Sequence, residues 1–314
     1  MTMAEDVAET SAANFGIRYP VDEHDCLHFA LSLKELDHQV YFVNWMDLGA
    51  SEFERMFSYN RSEFVRPVNI RDMDMIFVYK MEGFYADVNR FNRMLDRFAD
   101  ANVINDVATI RHNLAKSYLW QLEEKGVRTI PSYRINEVRN RIDQGESFVI
   151  KPLKGERGKG IFLAHSNAEL ATISDEEDQY FAQEFMPSIR DGERSLVFLG
   201  HEYQHAVIKH PSAKNTTEFR CNESLGGTVA IYEPTNKEID FCQNVLKTYE
   251  DLGYPVHFSR VDVIGSSAGP VLLEAELLNP SIYANYSRKG KQFGDRIAKY
   301  FDQFMRARQK ASRL

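Results

Sequence analysis

Residues 148–163 read FVIKPLKGERGKGIFL, and the fold turns on how this stretch is understood. Three strand-forming residues, Phe148, Val149 and Ile150, deliver Lys151 near a strand end. A turn carrying Gly155, Gly158 and Gly160 among cationic residues follows, and Ile161, Phe162 and Leu163 open a returning strand. Glycines let backbone N–H groups approach an anion closely and the lysines add point charges, so the hairpin suits a polyphosphate. It is not a Walker A loop, which reads GxxxxGK[ST] and runs into a helix. The other reading is a flexible hairpin tip with solvated lysines, and on this stretch alone the two stand level.

A second hairpin lies downstream. Residues 260–264 (RVDVI) form a strand, 265–269 a turn and 270–278 the return. Folding it about its centre brings Asp262 opposite Leu273 or Glu274. Glu274 and Glu276 are two apart and share a face. Three acids set among valines and leucines repel one another and are costly to bury unpaired. A divalent cation resolves that cost, and oxygen-only ligands favour Mg²⁺ over zinc. The competing reading is a half-exposed strand with its acids in water.

His201-Glu-Tyr-Gln-His205 matches HExxH, but that motif chelates zinc only on a helix. Here 196–200 and 203–209 read as two arms of a hairpin. Four residues of strand span about 13 Å, too far for two imidazoles to share one ion. A metalloprotease is therefore not expected.

The whole chain has 314 residues, 38 Lys and Arg against 46 Asp and Glu, a net charge of −8 and 43% hydrophobic residues. That supports a packed core and, at roughly 150 residues per domain, two domains. The acidic balance speaks against a nucleic-acid binder. No apolar run of about 18 residues is present, so no membrane helix is expected. Residues 1–16 lack the apolar core of a signal peptide and read as a frayed tail. Cys26, Cys221 and Cys242 are too few and too scattered for a disulfide framework or a CxxC zinc site, and suit a reducing cytoplasm.

Helix and strand alternate from residue 17 to 105: a helix at 25–36, strands at 40–44 and 75–79, a helix at 85–98 and a strand at 103–105. This predicts an α/β domain with a parallel sheet covered on both faces, without a GxGxxG dinucleotide turn. A helix at 111–125, carrying Lys116, precedes a run of hairpins at 147–152, 160–165, 180–186, 194–200, 203–209, 228–232, 258–264 and 271–278. Helices at 238–252 and 293–307 complete an α+β part with an antiparallel core.

In order and spacing these pieces resemble ATP-grasp ligases, and most closely the bacterial glutathione synthetase branch, over residues 17–286. The resemblance rests on DCLHFALSLKELDHQVYFVNWMDL and DMDMIFVYK in the first part, on VIND followed by IRHNLAK, and on the two hairpins. It implies an N-terminal domain over 1–105 and an ATP-grasp domain over 106–314, divided into 106–185 and 186–314. It implies ATP and two magnesium ions, with Mn²⁺ as a substitute. Lys116, Lys151, Gly155, Gly158 and Gly160 would then hold phosphates, Glu184, Phe185 and Met186 the adenine, and Glu193 the ribose. Lys209, Arg220 and Asn222 would face the reacting acyl phosphate, and Asp262, Glu274 and Glu276 would bind metal. Lys80, Arg220, Asn279 and Ser281 would line the substrate.

The implied activity is an ADP-forming carboxylate–amine ligase working through an acylphosphate. It would be cytoplasmic and homo-oligomeric, with small-molecule partners and neither nucleic acid nor membrane. Alternatives are a cyclo-ligase, a small-molecule kinase or a non-catalytic ATP-binding protein. The sequence departs from the family pattern at Glu276, where Asn is common, at MEGFY after Lys80, at Cys221 and Glu223, and at Asn279, where Ser is common. The nucleotide half matches better than the substrate half.

Overall fold

The computed structural model describes residues 23–48, 52–53, 56–66, 68–79, 81, 83–215, 217–287 and 291–311. The expected tail at 1–16, Lys80 and the Cys26 side chain lie outside the described residues. The described chain divides into two compact units. One holds the residues up to Val107 together with those from Asn279 on; the other is Ala108–Leu278. The segment after Leu278 thus groups with the N-terminal unit, whereas the sequence reading keeps it in the second domain.

In the first unit, helix α1 (Glu23–Glu35) packs along the C-terminal helix Lys291–Ala311. Ser32 Oγ donates to Asp295 Oδ1 at 2.9 Å, and His38 meets Asp302 at 3.1 Å. Strands β1 (Tyr41–Val43), β2 (Met56–Ser58) and β3 (Glu63–Val65) form an antiparallel sheet in that order. Strands β4 (Ile76–Phe77) and β5 (Val103–Ile104) pair in parallel. The first strand therefore does not join the parallel sheet that the alternation predicts. Its neighbour β2 follows closely enough to turn back on it, which leaves only β4 and β5 linked through a helical crossover. That crossover holds α2 (Val88–Arg97), capped by Asp87, whose carboxylate accepts from Arg90 N at 2.8 Å, with Phe91, Met94 and Leu95 buried at helical spacing.

The second unit opens with α3 (Val107–Asn113) and α4 (Tyr118–Glu124), not with the single helix expected over 111–125. Apolar residues keep helical spacing across the break, through Ile110, Leu114, Tyr118 and Leu122. The break is made by a tertiary bond: Lys116 N–H donates to Leu153 O at 2.8 Å.

Two antiparallel sheets follow. Strands β6 (Ser132–Arg134), β7 (Phe148–Pro152), β8 (Phe162–Ala164) and β9 (Tyr180–Glu184) are ordered β6-β9-β7-β8. Helices α5 (Ile135–Asp143) and α6 (Asn167–Leu170) cover this sheet around Val138, Phe148, Ile150 and Leu170. Strands β10 (Glu193–Leu199), β11 (Glu202–His210), β12 (Thr228–Tyr232), β13 (Phe258–Ser266) and β14 (Gly269–Glu276) are ordered β12-β11-β10-β13-β14. One face of this sheet packs on α4 and α7 (Asn236–Asp251) through Leu196, Phe198, Val261, Val263, Leu272 and Ala275.

The β13–β14 ladder is irregular. Arg260 opposes Glu276 and Asp262 opposes Glu274, but Val263 opposes Leu272, so one extra residue bulges at Leu273. The end of β14 is clamped by a buried asparagine. Asn113 Nδ2 donates to Ala275 O at 2.8 Å, and its Oδ1 accepts from Leu277 N at 2.9 Å. Asn113→Ala leaves both backbone groups without this partner, at about 1–3 kcal/mol for each group left unsatisfied. Urea unfolding is expected to give a lower midpoint with an unchanged slope.

Candidate active site

The expected residues gather on the face of the five-stranded sheet opposite the α4 and α7 core, and on the glycine hairpin. Register sets the first group. Ser195, Asp262 and Glu274 lie side by side across β10, β13 and β14; one row over lie Arg260 and Glu276; and Glu193 opposes Lys209 across β10 and β11.

Lys116, in the break between α3 and α4, donates to Gly155 O at 2.9 Å and pairs with Glu274 at 2.8 Å. Burial opposes its charge, but Glu274 and Glu276 more than offset this and raise its pKa. Lys151, on β7, donates to Gln183 Oε1 at 2.5 Å. Burial brings its pKa down to about 8, with Lys116 adding to the effect and Glu274 opposing it. Each position thus receives an ammonium group, one from a helix break and one from a strand end, beside the same loop.

The carboxylates differ sharply. Asp262 is 1% exposed and fully engaged: Arg260 Nε and Nη2 donate to its two oxygens at 2.8 Å each, and Ser195 Oγ donates at 2.6 Å. Burial alone raises its pKa, but Arg260 and Lys209 hold it well below the usual carboxylate range. Burial likewise works against Glu274, and Lys116 outweighs it to leave a lowered pKa. Glu276 makes no hydrogen bond or ion pair with any described residue. Burial and neighbouring Glu274 push it up to about 7. Among the described residues, no three His, Cys, Asp or Glu side chains converge as a metal cage. The three expected metal ligands share one face of the sheet, with Asp262 opposite Glu274 and held by Arg260.

Glu193, expected at a ribose, forms a buried ion pair with Lys209. Burial raises its pKa against the opposing effect of Lys209. Lys209 also stands 3.7 Å from Asp262. Cys221 is buried, and burial together with Glu193 pushes its thiol up to about 12. Glu184 N–H is taken by Pro131 O at 3.0 Å, while its carboxylate accepts from Tyr133 Oη at 2.9 Å. Phe185 and Met186 pack on Ile130, Ile189, Ile264 and Val271, giving an apolar wall beside the end of β9.

Arg220 reaches the glycine loop. Its Nη1 donates to Gly158 O at 3.0 Å and to Ile161 O at 3.3 Å. Glu218 grips the other edge, accepting from Nε at 2.8 Å and Nη2 at 2.7 Å. Gly158 has a φ of +71°, and a Cβ there would lie 2.7 Å from Asn222 Oδ1 and 3.3 Å from Arg220 Cδ. Only glycine fits that left-handed position under Asn222. Gly155 and Gly160 flank it in the same turn, each with its Cβ position facing the Pro152 ring. In the other unit, Asn279 is committed to the backbone of Met81: its Nδ2 donates to Met81 O at 2.9 Å and its Oδ1 accepts from Met81 N at 3.3 Å. Ser281 lies two residues on.

Two residues were not singled out from the sequence. Glu218 stands two before Arg220 and could have been read as its partner from that spacing alone. Arg260 stands two before Asp262 on a strand, hence on the same face. The HExxH residues fall on a turn and β11, as the hairpin pattern predicts, and His201 pairs with Glu250 at 2.9 Å.

The family model described as prokaryotic glutathione synthetase, ATP-grasp domain, matches residues 115–286. The glutathione synthetase of Synechococcus elongatus is 29% identical over 200 residues, covering 62% of this chain and 59% of that protein. The glutathione synthetase of Agrobacterium fabrum is 23% identical over 205 residues, covering 63% of each. The chain spans about three fifths of the length of the curated relatives it matches. Among solved structures, D-cycloserine synthetase DcsG superposes with a TM-score of 0.74 at 18% identity, over 92% of this chain and 97% of that one. D-alanine–D-alanine ligase from Bacillus anthracis gives 0.53 at 11%, over 77% and 83%. These likenesses agree on an ATP-grasp fold.

Proposed function

The chain belongs to the prokaryotic glutathione synthetase ATP-grasp family, and from that premise we propose that it is an ATP-dependent carboxylate–amine ligase. The carboxylate of one small molecule accepts the γ-phosphoryl group of ATP, giving an acylphosphate and ADP. The amine of a second molecule displaces phosphate and forms an amide. The observation that carries this reading is the convergence of Lys116 and the carbonyl-tethered Arg220 on one glycine loop, with Lys151 on the strand that leads into it and Glu274 of the acidic β13–β14 face paired with Lys116.

Lys116 and Lys151 hold the phosphates as fixed positive charges, so little reorganisation is needed during transfer. Arg220 bridges loop and acyl group: one edge holds the Gly158 carbonyl, and the edge now held by Glu218 turns to the developing oxyanion. Asn222, over Gly158, shapes the same wall. Closure of 155–160 keeps water from the acylphosphate. Phe185 and Met186 offer the apolar wall for the base. Lys209, held by Glu193, contributes positive potential from the sheet.

The donor set suits a hard divalent ion at Glu274 and Glu276: all-oxygen, with one carboxylate lacking any described partner and the other bound only by Lys116. Such an ion, when bound, neutralises phosphoryl oxygens. Lys80, Asn279 and Ser281 remain proposed for the substrate side. The enzyme is proposed to act in the cytoplasm as a homo-oligomer.

The test is ADP and phosphate release with Mg-ATP against amino acids, small peptides and γ-glutamyl compounds, with mass spectrometry of products. Amine-dependent ADP release with a dehydrated adduct supports the ligase. A stable phosphorylated product would replace it with a kinase, and absence of ATP binding would overturn it.

A further inference from the structure

Asp262 offers no open edge to a metal ion. The Arg260 guanidinium takes both of its oxygens at 2.8 Å, Ser195 takes one again at 2.6 Å, and Lys209 Nζ lies 3.7 Å from the other. A bidentate guanidinium occupies the edge of a carboxylate that a divalent ion would use. The grip is built in: Arg260 and Asp262 are 8% and 1% exposed and project from the same face of β13.

Across the ladder, Arg260 opposes Glu276 and Asp262 opposes Glu274. One guanidinium therefore stands among three acids. It neutralises Asp262 outright and leaves the two glutamates as the acids with open oxygens. A second divalent ion beside Asp262 would have to displace a buried guanidinium or sit against it, and like charges at such a distance repel strongly.

We infer that the Arg260 guanidinium occupies the position of a second metal ion, so that the site takes one divalent cation, on Glu274 and Glu276, instead of two. This rests on the ATP-dependent ligase reading. Arg260 is a fixed charge whose position Asp262 and Ser195 set, and Asp262 is its anchor and not a metal ligand.

The full chain is saturated with a non-hydrolysable ATP analogue, whose binding is followed by calorimetry, and Mn²⁺ is titrated while electron paramagnetic resonance reads bound and free ion. The expected result is one tight Mn²⁺ per chain, with a spectrum free of coupling between two ions. Glu276→Gln is expected to weaken that ion by tenfold or more. Arg260→Gln, checked for folding by circular dichroism, is expected to admit a second Mn²⁺; if it does not fold, the count on the unaltered chain still decides. Two tight, coupled ions on the unaltered chain would overturn the inference while leaving the ligase reading intact. Unchanged Mn²⁺ affinity in Glu276→Gln would also overturn it. Failure to bind the nucleotide would overturn the ligase reading, and this inference with it.

Discussion

Arg220→Ala is expected to slow amide formation by about 10²–10³-fold, the size of effect seen when a group aimed at a developing oxyanion is removed. Nucleotide affinity is expected to fall by less, under about tenfold. The reason lies in how the side chain divides its bonds. Two go to carbonyls of the glycine turn, Gly158 and Ile161, and their loss loosens the turn. The other edge is held by Glu218 and is the one free to exchange partners. Steady-state kinetics separate the two roles, with kcat reporting the oxyanion and KM for ATP the turn. Turnover within a factor of three of the parent would exclude Arg220 from the chemistry.

Lys151→Met is expected to weaken ATP binding about 10–100-fold, the range for losing a hydrogen bond to a charged group. It should also make the empty protein more stable at pH 7. The sign follows from the ammonium's environment. Burial lowers the Lys151 pKa from 10.5 to about 8. Between those values the unfolded chain binds more protons than the folded one, so this group's contribution to stability rises with pH across that window. Its penalty is fully present below about pH 8 and gone above about 10.5. The stability gain of Lys151→Met should therefore be largest at neutral pH and shrink as pH rises through 8 to 10. ATP restores the ammonium, so binding near pH 8.5 should take up protons in the parent and less in the variant. Urea unfolding at several pH values and calorimetry in buffers of different ionisation heat check both statements. A variant less stable than its parent at pH 7 would show that Lys151 is not penalised by burial.

Much of the second unit was legible in the sequence. Its strands alternate cleanly, and the turns at Gly200-His201 and Ser266-Gly269 are marked by glycine. Folding the second hairpin on paper put Asp262 against Leu273 or Glu274, and the ladder has Glu274. What escaped reading was tertiary. Nothing local breaks the helix at 114–117, since the apolar spacing continues and neither glycine nor proline intervenes; the break depends on the Leu153 carbonyl. The three-residue strands of the first unit carry no pairing signal, so the antiparallel partner of β1 could not be foreseen. Some partners of charged residues were legible in principle and missed in practice. Arg260 shares a face with Asp262 by simple alternation, whereas Glu193 meets Lys209 only through the register shift at Val197 and Phe198, which regular counting from the turn does not foresee.

The extra residue at Leu273 works as a change of phase in β14. Counting by twos from Glu276 passes through Glu274 and arrives at Leu272, yet Leu272 is fully buried on the opposite, helix-covered face. The bulge lets one strand serve two masters in sequence, oil on one stretch and charge on the next, without a break in the ladder. Insertions at the Ser266–Gly269 tip leave this phase untouched, so the hairpin can grow there freely. Loss of Leu273 removes the bulge and leaves Leu272 opposite Val263 and both glutamates opposite Asp262 and Arg260, whereas loss of Ala275 turns Glu276 toward the helix-covered face.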